Sequence, residues 1–128
     1  MKYGFDIQTL IDYLENTPED SWRIDTVRSK DGKTNCVMGH IFNFGGGDGN
    51  IDEYGTNGGT RAWDFFENVW ATTYMIYKIN DKISEEYPQE TPKQRILAYL
   101  KNLRDGKEKT TQDYMKEQEA QATKELLQ

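Results

Sequence analysis

Residues 61–81 read RAWDFFENVWATTYMIYKIND, and how this run folds decides the architecture. Trp63, Phe66, Trp70 and Tyr74 recur at i, i+3, i+7 and i+11, with Phe65 and Val69 alongside. That spacing lines one face of a helix. It predicts an aromatic helix over about 60–75 as the hub of the core, with three of the four rings buried and Ile76 to Asp81 as a short exit. Aromatic side chains bury large areas each, so the series reads as core before it reads as a ligand platform.

Working outward, Thr91-Pro92 is a strong helix start, a capping hydroxyl followed by proline at the first helical position. Ile96, Leu97, Leu100 and Leu103 form its apolar stripe and Gly106 its stop. Ile7, Leu10, Ile11 and Leu14 mark another helix over roughly 6–16, with Asp6 as N-cap and Thr17-Pro18 as the end. Trp22, Ile24 and Thr26 alternate with Arg23, Asp25 and Val27 ahead of Asp31-Gly32, a strand followed by a hairpin-type turn. Asn35 to Phe44 reads as a helix in preference to a returning strand, weakened by Gly39. The expected fold class is therefore α+β and mostly helical: about four helices around an aromatic core, with one small β-hairpin.

Residues 45–59, GGGDGNIDEYGTNGG, cannot form the interior of a regular element, because glycine loses too much backbone freedom on ordering. They are expected as a glycine-rich loop inserted in a compact domain of residues 1–106, followed by a polar C-terminal helix within 107–128. In that tail Tyr114, Met115, Ala122 and Leu126 are sparse apolar marks, which makes a homo-oligomer through 111–128 an expectation.

The 128 residues suit one domain. With 16 Lys+Arg against 22 Asp+Glu the net charge is −6, which disfavours direct binding of nucleic acid, since neutralising phosphates takes clustered cations. No run of about 18 apolar residues offers a membrane span. Met1 to Gln8 lacks the pattern of a signal peptide, and a single cysteine does not make a disulfide scaffold, so the expected location is cytoplasmic.

Cys36 and His40 are the only cysteine and histidine, four apart. On one helix face they could form a nucleophile–base pair or supply two metal ligands. A dyad normally draws its members from separate elements, and structural zinc wants four ligands. The plainer reading is a small buried thiol and a partly exposed ring, so neither catalysis, metal nor cofactor is expected. Asp48, Asn50 and Asp52 open like a calcium loop, but its sixth and twelfth positions hold Glu53 and Gly59. The loop's bare amides with Arg61, Tyr54, Asp48 and Asp52 could instead form a pocket for a small nucleotide-like ligand. Tyr54, Tyr77 and Tyr87 are candidates for a protein interface. Asn80-Asp81 fits a helix exit that caps the following turn.

By Cys36-Val37-Met38-Gly39-His40, by Ala71-Thr72-Thr73-Tyr74 with Ile79-Asn80-Asp81, and by Thr91-Pro92-Lys93-Gln94-Arg95, the chain resembles a family of small uncharacterised proteins carried by phages and mobile elements of bacteria. The shared pattern is Cys-x-x-Gly, then Asn-Asp, then Thr-Pro-x-x-Arg. It covers roughly residues 36–104, and the inserted glycine-rich loop departs from it. The resemblance implies a bacterial host cell and no particular chemistry. Together with the acidic charge it leads to the expectation of a non-enzymatic protein that binds and antagonises a host protein. A nucleotide-like ligand binder and a Cys36–His40 hydrolase or transferase are the alternatives.

Overall fold

The computed structural model describes residues 4–46 and 61–127, with residue 61 described by its backbone alone. Over these residues the protein is all-helical: α1 (Ile7–Glu15), α2 (Val37–Phe44), α3 (Arg61–Val69), α4 (Thr73–Asn80), α5 (Pro92–Arg104) and α6 (Thr111–Leu126), with one 3-10 turn at Glu19–Ser21. This corrects the expected α+β class in two places.

The first is the hairpin. Among the described residues no sheet forms; only isolated bridges join Trp22 and Arg28 to the same residue, Asn35. The turn itself is made: Asp31 Oδ1 accepts the Lys33 N–H at 3.0 Å, and Gly32 takes φ +75°. Ser29 N–H then bonds the Thr34 carbonyl at 2.9 Å. The leg ahead of the turn fails to run as a strand because Asp25 adopts φ +76°. A left-handed residue reverses the chain locally and destroys the alternation of faces that a strand needs.

The second is the aromatic helix, which is two helices. Thr72 sits in extended backbone and its side chain accepts the Met75 N–H, capping α4 and ending α3 before it. Breaking the register at residues 70–72 takes Trp70 and Tyr74 out of the common face. Trp63 and Phe66 are buried, Trp70 is half-buried and Tyr74 is 64% exposed, so two rings of the series enter the core, not three. The expected exit, Ile76 to Asp81, is most of α4, and Ile76 and Ile79 are core residues.

α2 lies at the centre, packed against α1, α3, α4 and α5, while α5 also packs on α1 and α4. Leu10, Ile11 and Leu14 meet Ile41, Phe42, Ile96 and Leu100 in one core. Each such side chain contributes roughly 1.5–3 kcal/mol by leaving water. Asp6, Thr91 and Thr110 cap α1, α5 and α6 with their side chains, and Gly106 ends the α5 region at φ +74°. The last turn of α1 has no cation of its own; Lys93 supplies one, donating to the Glu15 carbonyl at 2.9 Å and the Thr17 carbonyl at 2.6 Å.

Candidate functional site

Three segments enclose a cavity of about 240 Å³: the bend at 25–27, the start of α2, and one face of α4. Their meeting is fixed by buried polar side chains. Asn80, 1% exposed, accepts the Val37 N–H through Oδ1 at 3.0 Å. Its Nδ2 donates to the Arg23 carbonyl at 2.9 Å and to Asp81 Oδ1 at 2.8 Å. Asp81 Oδ2 takes the Asp25 N–H at 3.2 Å, which ties the bend to the end of α4. Beneath them Arg95, also buried, donates to the carbonyls of Ile79 at 2.9 Å, Asn80 at 2.7 Å and Gln89 at 2.9 Å. A guanidinium at the carbonyl end of α4 satisfies orphan acceptors and opposes the helix dipole.

The walls are apolar: Val27, Val37, Met38 and Ile76. The polar lining comprises Cys36, Asn80 and Asp81, with Asp25, Thr26, Thr73 and Tyr77 completing it. Asp25 and Tyr77 are exposed, and no Lys, Arg or His is among the described residues that line the cavity. Burial pushes the Cys36 thiol up to about 11; the Asp81 carboxylate adds to this, against the Gly39 and Met38 amides at the start of α2 and the Arg23 charge. The thiol is held neutral at physiological pH; the Asp25 and Asp81 carboxylates are in the lining, with the Arg23 and Arg95 cations outside it.

Of the residues singled out from sequence, Cys36 alone of the Cys–His pair lines the cavity. His40 is buried on the same helix but turned elsewhere. Its ring stacks on Trp22 at 4.3 Å, and Nε2 donates to the Ser21 carbonyl at 3.0 Å. Burial holds this imidazole down at about 4, against the supporting Ser21 bond. A neutral thiol facing a cavity and a neutral ring committed to a carbonyl lack the proton relation a nucleophile–base pair requires. Asp48, Asp52 and Tyr54 lie outside the described residues, as does the Arg61 side chain, although residue 61 opens α3. Tyr77 is 46% exposed on α4, whereas Tyr87 is buried, its hydroxyl donating to Glu108 Oε1 at 2.8 Å. Among the described residues no cluster of three potential metal ligands forms, and no helix is long and apolar enough to cross a membrane.

Asn80 reaches far beyond a local turn cap, to Arg23 and Val37. The one sequence signal for its part in a site is the i, i+1, i+4, i+5 spacing of Ile76, Tyr77, Asn80 and Asp81. Asp25 gave no signal. No family model, curated protein or solved structure matches the chain.

Proposed function

We propose that the protein is a non-enzymatic binding protein that captures a basic surface of a protein partner, in the manner expected of a phage or mobile-element protein that antagonises a host component. The cavity carries this reading. It is anionic, walled by apolar side chains and bordered by exposed Tyr77, a composition that suits an anchoring side chain from a partner. Exposed Ile24 directly precedes the bend and exposed Tyr74 lies on α4, beside two of the three segments that form it, and the net charge of −6 favours encounter with a basic surface. The Cys36 thiol held neutral by burial and the His40 ring stacked on Trp22 favour a binding use of this place over a catalytic one.

Affinity capture from bacterial extract tests the reading, with wild type beside a Tyr77→Ala/Asp25→Asn double variant at low salt and at about 0.5 M salt, where exposed charges are screened. One partner retained in stoichiometric amount by wild type, and lost both to salt and to the double variant, is the expected result. Capture indifferent to both changes, or no capture, refutes it.

A further inference from the structure

We infer that the cavity receives the guanidinium end of an arginine side chain presented by the partner. The inference rests on the protein-binding reading above and names what the site would hold.

Size sets the first bound. About 240 Å³ falls below the ~300–1,000 Å³ of pockets that enclose drug-sized ligands, which suits one long side chain better than a nucleotide. Charge sets the second. Asp25 and Asp81 are in the lining, whereas the neighbouring cations lie outside it. Arg95 is committed to the Ile79 and Asn80 carbonyls, and Arg23 acts on Cys36 from beyond the wall. A cation entering the cavity therefore meets carboxylates first.

The arrangement of the walls selects among cations. Val27 and Met38, both half-buried, can cover a methylene stem over the buried Val37 and Ile76, and exposed Tyr77 puts an aromatic ring in the lining, a group that suits a delocalised planar cation. Asp81 is held in place from both sides, Oδ1 by Asn80 Nδ2 and Oδ2 by the Asp25 N–H. Each oxygen keeps a further lone pair, which is what a forked, two-bond donor requires. A carboxylate fixed before binding needs no ordering when its partner arrives. Arginine matches the fork and the aromatic face; lysine, a compact and strongly hydrated charge, matches neither.

The test is a titration of the ¹⁵N-labelled full chain with the N-acetyl methylamides of arginine, citrulline, lysine and norleucine, followed by amide shifts. Citrulline keeps the shape of arginine and removes its charge. The expected result is saturable, millimolar binding of the arginine compound, with shifts centred on Met38, Tyr77 and Asp81. Citrulline should bind about tenfold more weakly or less, the fold-change expected for loss of a charge-assisted bond. Asp25→Asn should weaken arginine binding several-fold without changing the thermal midpoint, because asparagine tolerates the left-handed backbone at that position. Tyr77→Leu provides a second variant at an exposed position, and it too should weaken binding. Equal binding of citrulline, tighter binding of lysine, or shifts centred elsewhere overturns the inference.

No partner enters this titration. A negative titration beside salt-sensitive capture overturns the arginine assignment alone. A positive titration without capture overturns the protein-binding reading, and with it the assignment of the arginine to a protein.

Discussion

The Val37 backbone N–H and Asn80 Oδ1, 43 positions apart in sequence, meet at 3.0 Å. A helix leaves its first amides without internal partners, and here the side chain at the end of α4 satisfies one at the start of α2. The same amide group holds the Arg23 carbonyl and the Asp81 carboxylate, so one residue fixes the positions of α2, α4 and the bend that together make the cavity.

Asn80→Ala leaves the buried Val37 N–H and the part-buried Arg23 carbonyl without their side-chain partner. At about 1–3 kcal/mol for each orphaned group, partly relieved by entering water, the expected loss is about 3 kcal/mol. Asn80→Asp keeps the acceptor for Val37 but removes both donors and sets a second carboxylate beside Asp81, so it should also destabilise at pH 7 and less so in mild acid. Urea unfolding of both variants measures this. A loss below about 0.5 kcal/mol for Asn80→Ala would show that Asn80 does not hold the three segments together.

Gly39 offers a contest between two effects of known size. In an exposed helix interior, alanine is better than glycine by up to about 1 kcal/mol. Here a Cβ at position 39 would stand 2.6 Å from Asn35 Oδ1 and 2.7 Å from the Val27 carbonyl oxygen. The Val27 carbonyl already accepts the Cys36 N–H at 2.9 Å, so it cannot withdraw freely. Overpacking should win, and Gly39→Ala should lower stability by about 1–3 kcal/mol. A variant more stable than wild type would mean the bend at 25–27 gives way easily.

That glycine also marks what could and could not be read from the sequence. α1 and α5 were legible because their apolar stripes and their caps, Asp6 and Thr91-Pro92, are local signals. α2 was legible as a helix, but Gly39 looked like a weakness when it is a point of close approach, a property of the facing segment and not of the helix. The split at Thr72 was hidden by an aromatic spacing that runs through it. The hairpin failed on the backbone angle of Asp25, which no alternation of side chains reveals. The cavity was out of reach for the same reason: Asp25, Cys36 and Asp81 come together only through bonds between distant parts of the chain.

His40 makes stability depend on mild acid. Its folded-state imidazole is held neutral, down at about 4, by burial, whereas in the unfolded chain it titrates near 6.5. Above pH ~6.5 both states are neutral and the residue has no effect on the equilibrium. Below that, the unfolded state takes a proton that the folded state refuses, so stability falls until about pH 4, by about 3 kcal/mol in all. Asp31, Asp105 and Asp113, held below the usual carboxylate range by hydrogen bonds from Ser29, Arg104 and the Thr110 backbone, add their losses at lower pH. Urea midpoints measured from pH 7.5 to 4.5 should decline for wild type and stay nearly level for His40→Gln, whatever that variant's offset. Parallel curves would place the proton elsewhere.

α6 stands apart in how it is held. None of its residues is buried, and Tyr114, Met115, Leu126 and Leu127 are 47–87% exposed. It is anchored where it begins: Thr111 N–H reaches the Trp70 carbonyl at 3.0 Å, and Thr110 and Asp113 close a capping box. Lys109 meets Glu117 at 2.6 Å, an exposed pair that adds little. A polar helix of this length is marginal in water, so its amides should open locally while α5 opens only with the whole domain. In hydrogen exchange at low micromolar protein, amides of residues 118–126 should exchange at least about a hundredfold faster than those of Ile96 to Leu100. Slow exchange in α6 at every concentration would mean the chain itself stabilises this helix by contacts its exposure gives no hint of. Protection that rises with protein concentration would show a second copy covering the Met115 and Leu126 side, and would turn the polar tail from a loosely held end into the dimer contact.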